Sequence, residues 1–399
     1  MSENPEFLSQ ERVSWLRTPE SAVLFDRIAG AGGRARFVGG CVRDALLDRV
    51  VSGGDIDIVT SLLPQAVMAL FDRSIPTGLK HGTVTVLLGR ASFEVTTLRR
   101  DTACDGRHAV VEYTGDFAED AARRDFTINA MSCEPDGRIH DYFGGREDLR
   151  AGRLRFVGDP ATRIREDYLR ILRLFRFLPR YAREPLDPAI VDAVASHLGG
   201  LDRLSGERIA AEIRRMLAYE FASGAIAPMM ATGVFTRIFG GDGDLVGLQH
   251  LDGPARGADW LTRAVVLVRD RLDPASFCER LRFSRQESDD LVFGCTADLP
   301  PLGETDAALR AWAYGIGAVR ARMLLLVAYA RQRLDSAGLD AARAVLDDFR
   351  YPAVPVSGKD LLALGMTPGP AVGKVLRDME QQWIDSDFTL GREDLLASI

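Results

Sequence analysis

Two aspartates one residue apart, Asp55 and Asp57, alternate with Ile56 and Ile58 in the segment Gly-Gly-Asp-Ile-Asp-Ile. In an extended strand residues i and i+2 share a face, so both carboxylates project one way while the isoleucines enter a core. Two carboxylates this close repel each other unless a positive charge lies between them. Mg²⁺ is bound through one or two carboxylates together with substrate phosphates, which makes a nucleoside triphosphate the natural third party. An Asp-x-Asp pair also arises by chance, so its neighbours decide the matter. Gly39-Gly40 precedes a short helix beginning near Cys41, and the backbone N–H groups of a glycine turn at a helix N-terminus can donate to phosphate oxygens. Arg43, one helical turn further on, is placed to grip a phosphate bidentately.

Further acids and arginines extend this chemistry. Glu94 lies between Phe93 and Val95 in an apolar, strand-forming stretch, where an unpaired carboxylate is costly. It either completes a cluster with Asp55 and Asp57, as the third acid of a two-metal phosphoryl transfer, or faces solvent. In Arg123-Arg124-Asp125-Phe126, Arg124 is a candidate to hold the triphosphate or the sugar edge. Asp125 would fix it or cap the residues that follow, the alternative being a structural salt bridge. Read as one helix at about 100° per residue, Arg165 to Leu178 sets Arg170, Arg173 and Arg176 along one flank, opposite Ile171, Leu174, Phe175 and Leu178. Leu169 and Phe177 fall among those arginines, which therefore need anionic partners, and a triphosphate would serve. Asp167 and Arg170, three apart, can also read a base edge. The carboxylate accepts from the exocyclic amine of cytosine or adenine, the guanidinium donates to the adjacent ring acceptor, and uracil and guanine are repelled. The competing reading of this pair is an ordinary i,i+3 surface salt bridge.

The elements that must position these groups form an α+β beginning and a mainly helical remainder. Periodicity predicts a helix over Ser21–Ala29, a strand at Arg36–Val38, the helix from Cys41, the aspartate strand Asp55–Thr60 and a helix from Pro64 to Phe71. Strands follow on either side of a Gly89-Arg90 hairpin turn. The stretch Arg99 to Asp116, rich in charge, reads as a mobile loop, Glu119–Met131 as a helix and Arg138–Tyr142 as a last strand. Helical periods then dominate: Glu166–Leu178, Ala189–His197, Gly206–Leu217, Ala258–Leu272, Ala307–Leu334 and Leu339–Phe349. Pro300-Pro301 and Tyr351-Pro-Ala-Val-Pro mark boundaries between helical layers. In the tail, a glycine turn and Lys374 either meet a nucleic-acid phosphate or simply join two packed helices.

With 399 residues, 46% of them apolar, the chain holds real cores and two or more domains. No stretch reaches the roughly 18 apolar residues of a membrane span, and the polar N-terminus is unlike a secretory signal, so a cytoplasmic location is expected. The five cysteines are scattered without C-x-x-C spacing, and the five histidines form no metal-binding pattern, which leaves reduced thiols and no zinc site. The net charge of −7 hides local asymmetry: Arg150 to Arg183 carries ten arginines against three acids.

Taken in order, G-G-C-V-R-D, G-D-I-D-I, H-G-T-V-T-V, E-V-T-T-L-R, R-R-D-F-T-I-N-A-M, D-Y-F-G-G-R-E-D-L, R-E-D-Y-L-R-I-L-R-L-F-R-F and S-G-E-R-I-A-A-E-I run from Phe37 to Gly233. This series resembles the bacterial class II CCA-adding tRNA nucleotidyltransferases, close relatives of bacterial poly(A) polymerases. The resemblance implies a polymerase-β-like head over residues 1–150, a helical neck over 151–240, a helical body over 241–350 and a tRNA-binding tail over 351–399. It implies that Asp55 and Asp57 bind Mg²⁺ and that Gly40, Arg43 and Arg124 contact the incoming CTP or ATP. Asp167, Arg170, Arg173 and Arg176 would be further nucleotide contacts, with Asp167 and Arg170 acting as an amino-acid template for the base. The stretch Arg99–Asp116 would be the flexible element that the switch from C to A requires. The implied reaction is template-independent addition of C, C and A to the 3′ end of tRNA. Alternatives are poly(A) synthesis on general RNA, an A-adding or CC-adding specialist, or a catalytically silent RNA-binding protein, which would require loss of the carboxylates.

Overall fold

The computed structural model describes residues 7–8, 16, 18–49, 56–104, 109–253 and 256–398, the side chains of 101–104 and 109–111 aside. Asp55 lies outside the described residues. The chain forms two compact units, one of residues 1–213 with 224–238 and one of 214–223 with 239–399.

The first unit opens with α1 (Pro19–Gly30), started by Pro19 and by Thr18, whose side chain accepts from the Ser21 N–H. Then come β1 (Ala35–Val38), α2 (Gly40–Leu46), β2 (Asp57–Thr60), α3 (Pro64–Leu70), β3 (Ser74–Gly78), β4 (Thr83–Leu88) and β5 (Ala91–Thr97). β6 (Arg99–Cys104) and β7 (Ala109–Tyr113) precede α4 (Phe117–Ala122), β8 (Ser132–Cys133) and β9 (Ile139–His140). The main sheet runs β3-β4-β5-β2-β1-β8-β9, with only β2 and β5 parallel. Strict alternation sorts its two faces. Phe37, Ile58, Val84, Val86, Phe93 and Val95 are buried beside α1, α2 and α3. The other face carries Asp57 and Glu94, and a cluster of Val38, Val59, Leu98 and Phe117 covers part of it.

Two expectations change here. The stretch Arg99–Asp116 is not a loop but contains a separate two-stranded antiparallel ribbon, β6 with β7. Arg-Arg-Asp-Thr-Ala-Cys shows no apolar alternation, so nothing in its sequence announces a strand. The helix expected over Glu119–Met131 ends at Ala122, because Asp125 and Phe126 turn away to pair with Phe156 and Val157, leaving a single 3₁₀ turn at Thr127–Asn129.

After α5 (Gly145–Ala151), the long helix expected across Arg165–Leu178 proves to be two, α6 (Pro160–Glu166) and α7 (Leu169–Tyr181). Asp167 is extended, with φ −154° and ψ 107°, and its carboxylate accepts from the Leu169 N–H to start α7. The adjacent Tyr168 ring packs onto Gly200, where a Cβ would stand 2.0 Å from the ring. Only a residue without a side chain leaves room for it. α8 (Pro188–Ser196), α9 (Gly206–Leu217), α10 (Ser223–Ala231) and α11 (Val234–Phe239) follow.

Carboxylates, two of them remote in sequence, hold α7 in place. Arg170 pairs with Glu166, Arg173 with Asp125 and Arg176 with Glu212. The arginines expected to need a triphosphate therefore each have a protein acid. Asp125 and Glu212 are buried, and burying one member of such a pair without the other is strongly destabilising.

In the second unit, α12 (Leu245–His250), α13 (Trp260–Val268), α14 (Pro274–Leu281) and α15 (Arg285–Thr296) precede α16 (Asp306–Ile316) and α17 (Ala318–Ala330), which break at Gly317 where one helix was expected. α18 (Ser336–Asp348), α19 (Gly358–Ala363), α20 (Pro370–Asp385) and α21 (Arg392–Leu396) complete it. Residues 351–399 pack within the same unit. Val356, Leu361, Met379, Trp383 and Leu395 form a core against Tyr314 of α16, and Lys374 is exposed. Among the described residues, no helix is long and apolar enough to cross a membrane.

Two outcomes follow from the α7 packing. Gly200→Ala should cost about 1–3 kcal/mol of unfolding free energy through overpacking against Tyr168, read by urea titration; an unchanged midpoint would exclude that close approach. For Asp125, burial alone would raise the carboxyl, but the Arg173 guanidinium, with donors from Asn129 and Phe126, pulls it from 3.8 down to about 2. A group whose pKa is depressed in the folded state stabilises that state above the unfolded pKa and loses the contribution as pH falls through the folded one. Between about pH 5 and pH 2 the native chain should lose about 2 kcal/mol more stability than Asp125→Asn, and parallel pH curves would remove Asp125 as the source.

Candidate active site

The turn at Gly39 gathers the first groups of the site. Gly39 adopts φ +73°, a conformation glycine accepts without steric cost, and starts α2 immediately after β1. A Cβ there would stand 3.4 Å from Nη1 of Arg124 and 3.9 Å from Oδ2 of Asp57. The glycine thus lies between a guanidinium from the end of α4 and a carboxylate from the start of β2. Gly40 follows as the first residue of α2, with Nη2 of Arg43 3.6 Å from where its Cβ would be.

Asp57 and Glu94 are register partners on the parallel strands β2 and β5, so their side chains leave the sheet on the same face. Glu94 is exposed and Asp57 partly so, while the residues flanking them, Ile58, Phe93 and Val95, are buried. Two neighbouring all-oxygen donors on an open face, beside a turn that carries no side chain, fit a hard divalent cation. Among the described residues no three His, Cys, Asp or Glu side chains converge on one metal position. Asp55, the other member of the expected acid pair, lies outside the described residues.

Arg124 is fixed by an acid that sequence reading missed. Asp120 accepts from Nε and Nη2 of Arg124 through Oδ2 and from Nε and Nη2 of Arg123 through Oδ1. Burial raises the Asp120 carboxyl, but the two guanidiniums overcome this and hold it below the ordinary range. Asp125, expected to hold Arg124, instead accepts from Arg173 and from Asn129 Nδ2. The i,i+3 and i,i+4 spacing from Asp120 to Arg123 and Arg124 was a legible signal.

Arg43 is 7% exposed. Its Nε and Nη2 donate to Asp44 at 3.0 and 2.8 Å, and its Nη1 donates to Asn129 Oδ1. Asn129 in turn donates to Asp125, so Arg43 and Arg173 belong to one continuous network.

The base-reading pair expected at Asp167 and Arg170 is arranged differently. Arg170 is buried and donates through Nη2 to the Arg123 carbonyl at 2.9 Å, while Glu166 takes its Nη1. Asp167 stands at the break between α6 and α7 and accepts from Nη2 of Arg208, on α9, at 2.7 Å. Asp167 and Arg170 are therefore neighbours across the first turn of α7 rather than an ion pair. Arg208 and Glu212, one helical turn apart on α9, enter from more than thirty residues away, and no local spacing could have matched them to Asp167 and Arg176.

Cys41, Cys133, Cys278 and Cys295 are free and buried. Burial pushes the Cys41 thiol up to about 12, with Asp57 adding to the effect, and it takes Cys133 and Cys295 to about 12 as well. These thiols are inert at neutral pH. His140 pairs with Glu134 at 2.7 Å, away from the acids of β2 and β5.

The glycine turn, Asp57, Glu94, Asp120 and Arg124 lie within residues 35–155, the stretch that matches the poly A polymerase head domain family. Similarity extends well beyond it. The chain is 33% identical to the mitochondrial CCA tRNA nucleotidyltransferase 1 of Danio rerio, across 99% of this chain and 97% of that one. It is 42% identical to the CCA-adding enzyme of Anoxybacillus flavithermus over about half of each chain. Its backbone matches the Bacillus stearothermophilus CCA-adding enzyme, crystallised in complex with CTP, with a TM-score of 0.75 and 29% identity over 93% and 94% of the two chains. End-to-end likeness in sequence and in fold, with the glycine turn and acidic strand in the matched head, makes this chain a member of the CCA-adding tRNA nucleotidyltransferase family.

Proposed function

We propose that this protein adds C, C and A to the 3′ end of tRNA from CTP and ATP, releasing pyrophosphate at each step. The observation that carries the reading is the meeting of Asp57, Gly39 and Arg124 at one turn of a head whose whole chain aligns with CCA-adding enzymes. The 3′-hydroxyl oxygen of tRNA attacks the α-phosphorus of the nucleotide in line. A new P–O bond forms as the bond to the bridging oxygen breaks, the electron pair leaves with pyrophosphate, and the hydroxyl proton is released to solvent.

The chain's own residues supply the rest. The backbone at Gly39 and Gly40 approaches the triphosphate closely because no side chain intervenes, and Arg43 and Arg124 hold its phosphates, already oriented by Asp44, Asn129 and Asp120. Enzymes of this family work with a divalent metal. Here Mg²⁺ is the ion proposed, held by Asp55 and Asp57, and when bound it lowers the pKa of the attacking hydroxyl and offsets charge on the phosphates. Glu94, beside Asp57 on the same face, is the proposed third acid near that hydroxyl.

Asp167 and Arg170 are proposed to read the base edge, with Arg173 and Arg176 supporting their helix and lending positive potential rather than free phosphate ligands. The proposed domains are the head 1–150, neck 151–240, body 241–350 and tail 351–399, and the proposed location is the cytoplasm.

With Mg²⁺ and tRNAs ending before CCA, after C and after CC, the products should stop after C, C and A. An unlimited A ladder on unrelated RNA would instead identify a poly(A) polymerase. Asp57→Ala or Asp55→Ala should abolish addition of every nucleotide while tRNA binding, read by filter retention, stays within about twofold. Retained activity would remove the metal assignment. Asp167→Ala should relax base choice, and unchanged rejection of UTP would end its template role.

A further inference from the structure

Arg43 is a nearly buried cation whose N–H groups are held by Asp44 and Asn129, and its Cζ also lies over two aromatic rings. The Tyr181 ring lies with its centroid 4.3 Å from the Arg43 Cζ, and the Phe177 ring lies 5.2 Å away. Phe177 and Tyr181 are one turn apart on α7, with ring centroids 5.5 Å from each other, and together they form an aromatic ledge. The Tyr181 hydroxyl donates to Asp44 Oδ1 at 2.9 Å, the same oxygen that accepts from Arg43 Nε at 3.0 Å. Burial raises the Tyr181 hydroxyl, which keeps it a neutral donor. One side chain at the C-terminal end of α7 therefore touches the guanidinium through its ring and that guanidinium's counterion through its hydroxyl. Asp167 and Arg170 lie at the opposite end of the helix.

We propose that Tyr181 is a positioning residue for the triphosphate: its ring and hydroxyl together orient Arg43, so that the far end of α7 governs phosphate binding while the near end governs base choice. This rests on the reading of Arg43 as a phosphate ligand. A ring under a desolvated guanidinium stabilises it, and the planar cation loses its fixed tilt when the ring goes. Because every nucleotide carries the same triphosphate, the effect must be independent of the base.

The test is steady-state addition of C to tRNA lacking CCA and of A to tRNA ending in CC, comparing wild type, Arg43→Ala, Tyr181→Leu, Tyr181→Phe and the Arg43→Ala/Tyr181→Leu double variant. Tyr181→Leu should raise KM for CTP and ATP alike, about tenfold, leaving the tRNA KM unchanged. Tyr181→Phe, which keeps the ring, should recover most of that loss. In the Arg43→Ala background, Tyr181→Leu should cost nothing more, since a double-mutant cycle cancels an effect transmitted through Arg43. Additive losses, or a shift for one nucleotide only, would overturn the proposal. If Arg43→Ala raises KM and Tyr181→Leu does not, the ledge falls while the phosphate reading stands. If Arg43→Ala leaves KM untouched, both fall. Should Tyr181→Leu fail to fold, judged by circular dichroism, the cycle is run with Tyr181→Phe, whose smaller loss, about twofold, must likewise vanish in the Arg43→Ala background.

Discussion

Guanidinium groups withdrawn from water impose the strictest condition on the first unit, because each must meet an acid or carbonyl in the interior. Arg43, Arg170, Arg173 and Arg176 meet it with Asp44, Glu166, Asp125 and Glu212, and Asn129 links two of these pairs. These contacts join α2, the 3₁₀ turn after α4, α7 and α9. Loosening any one leaves a charge stranded, so the groups that would meet a nucleotide are held by the same bonds that hold the helices.

The sheet supplies the complementary half. Its parallel pair, β2 with β5, sets Asp57 beside Glu94, and alternation sends their neighbours into a closed core. One face is covered by helices, while the other is only partly capped by Phe117 and its cluster and remains open at the acids. The carboxylates are thereby repelled from one another at a place a cation can reach. Gly39 keeps the space beside them clear, with Arg124 facing in from α4.

The same arrangement divides tasks along one helix. The N-terminal end of α7 carries Asp167, held out of helical conformation by Tyr168 against Gly200 and by Arg208. Its C-terminal end carries the ring under Arg43. A rigid rod about 20 Å long, at 1.5 Å per residue, thus spans from the base-reading residues to the ledge beneath a phosphate-binding arginine.

Local spacing was enough for the sheet's acids and for the glycine turn. Asp57 between two isoleucines, Gly39-Gly40 before an apolar helix and Glu94 between two hydrophobic residues are patterns of period two or of a single turn, and such patterns survive without knowledge of the rest of the chain. The ordered series of motifs likewise made the family readable. What spacing could not supply was the partner of each arginine. Arg176 needs Glu212 and Asp167 needs Arg208, and these meetings depend on how α7 and α9 pack, not on how either helix is written. The break at Asp167 is equally silent in Arg-Glu-Asp-Tyr-Leu-Arg, which contains no glycine or proline; it exists because a tyrosine ring finds room over a glycine thirty-two residues away. Composition and period determined most of the sheet strands and helices, though not the β6–β7 ribbon or the breaks at Asp167 and Gly317, and which side chains could carry charge to a phosphate. Only the tertiary structure decided which of those charges are spent on one another and which face the open site, because pairing energies in a low-dielectric interior depend on contacts between residues far apart in the chain.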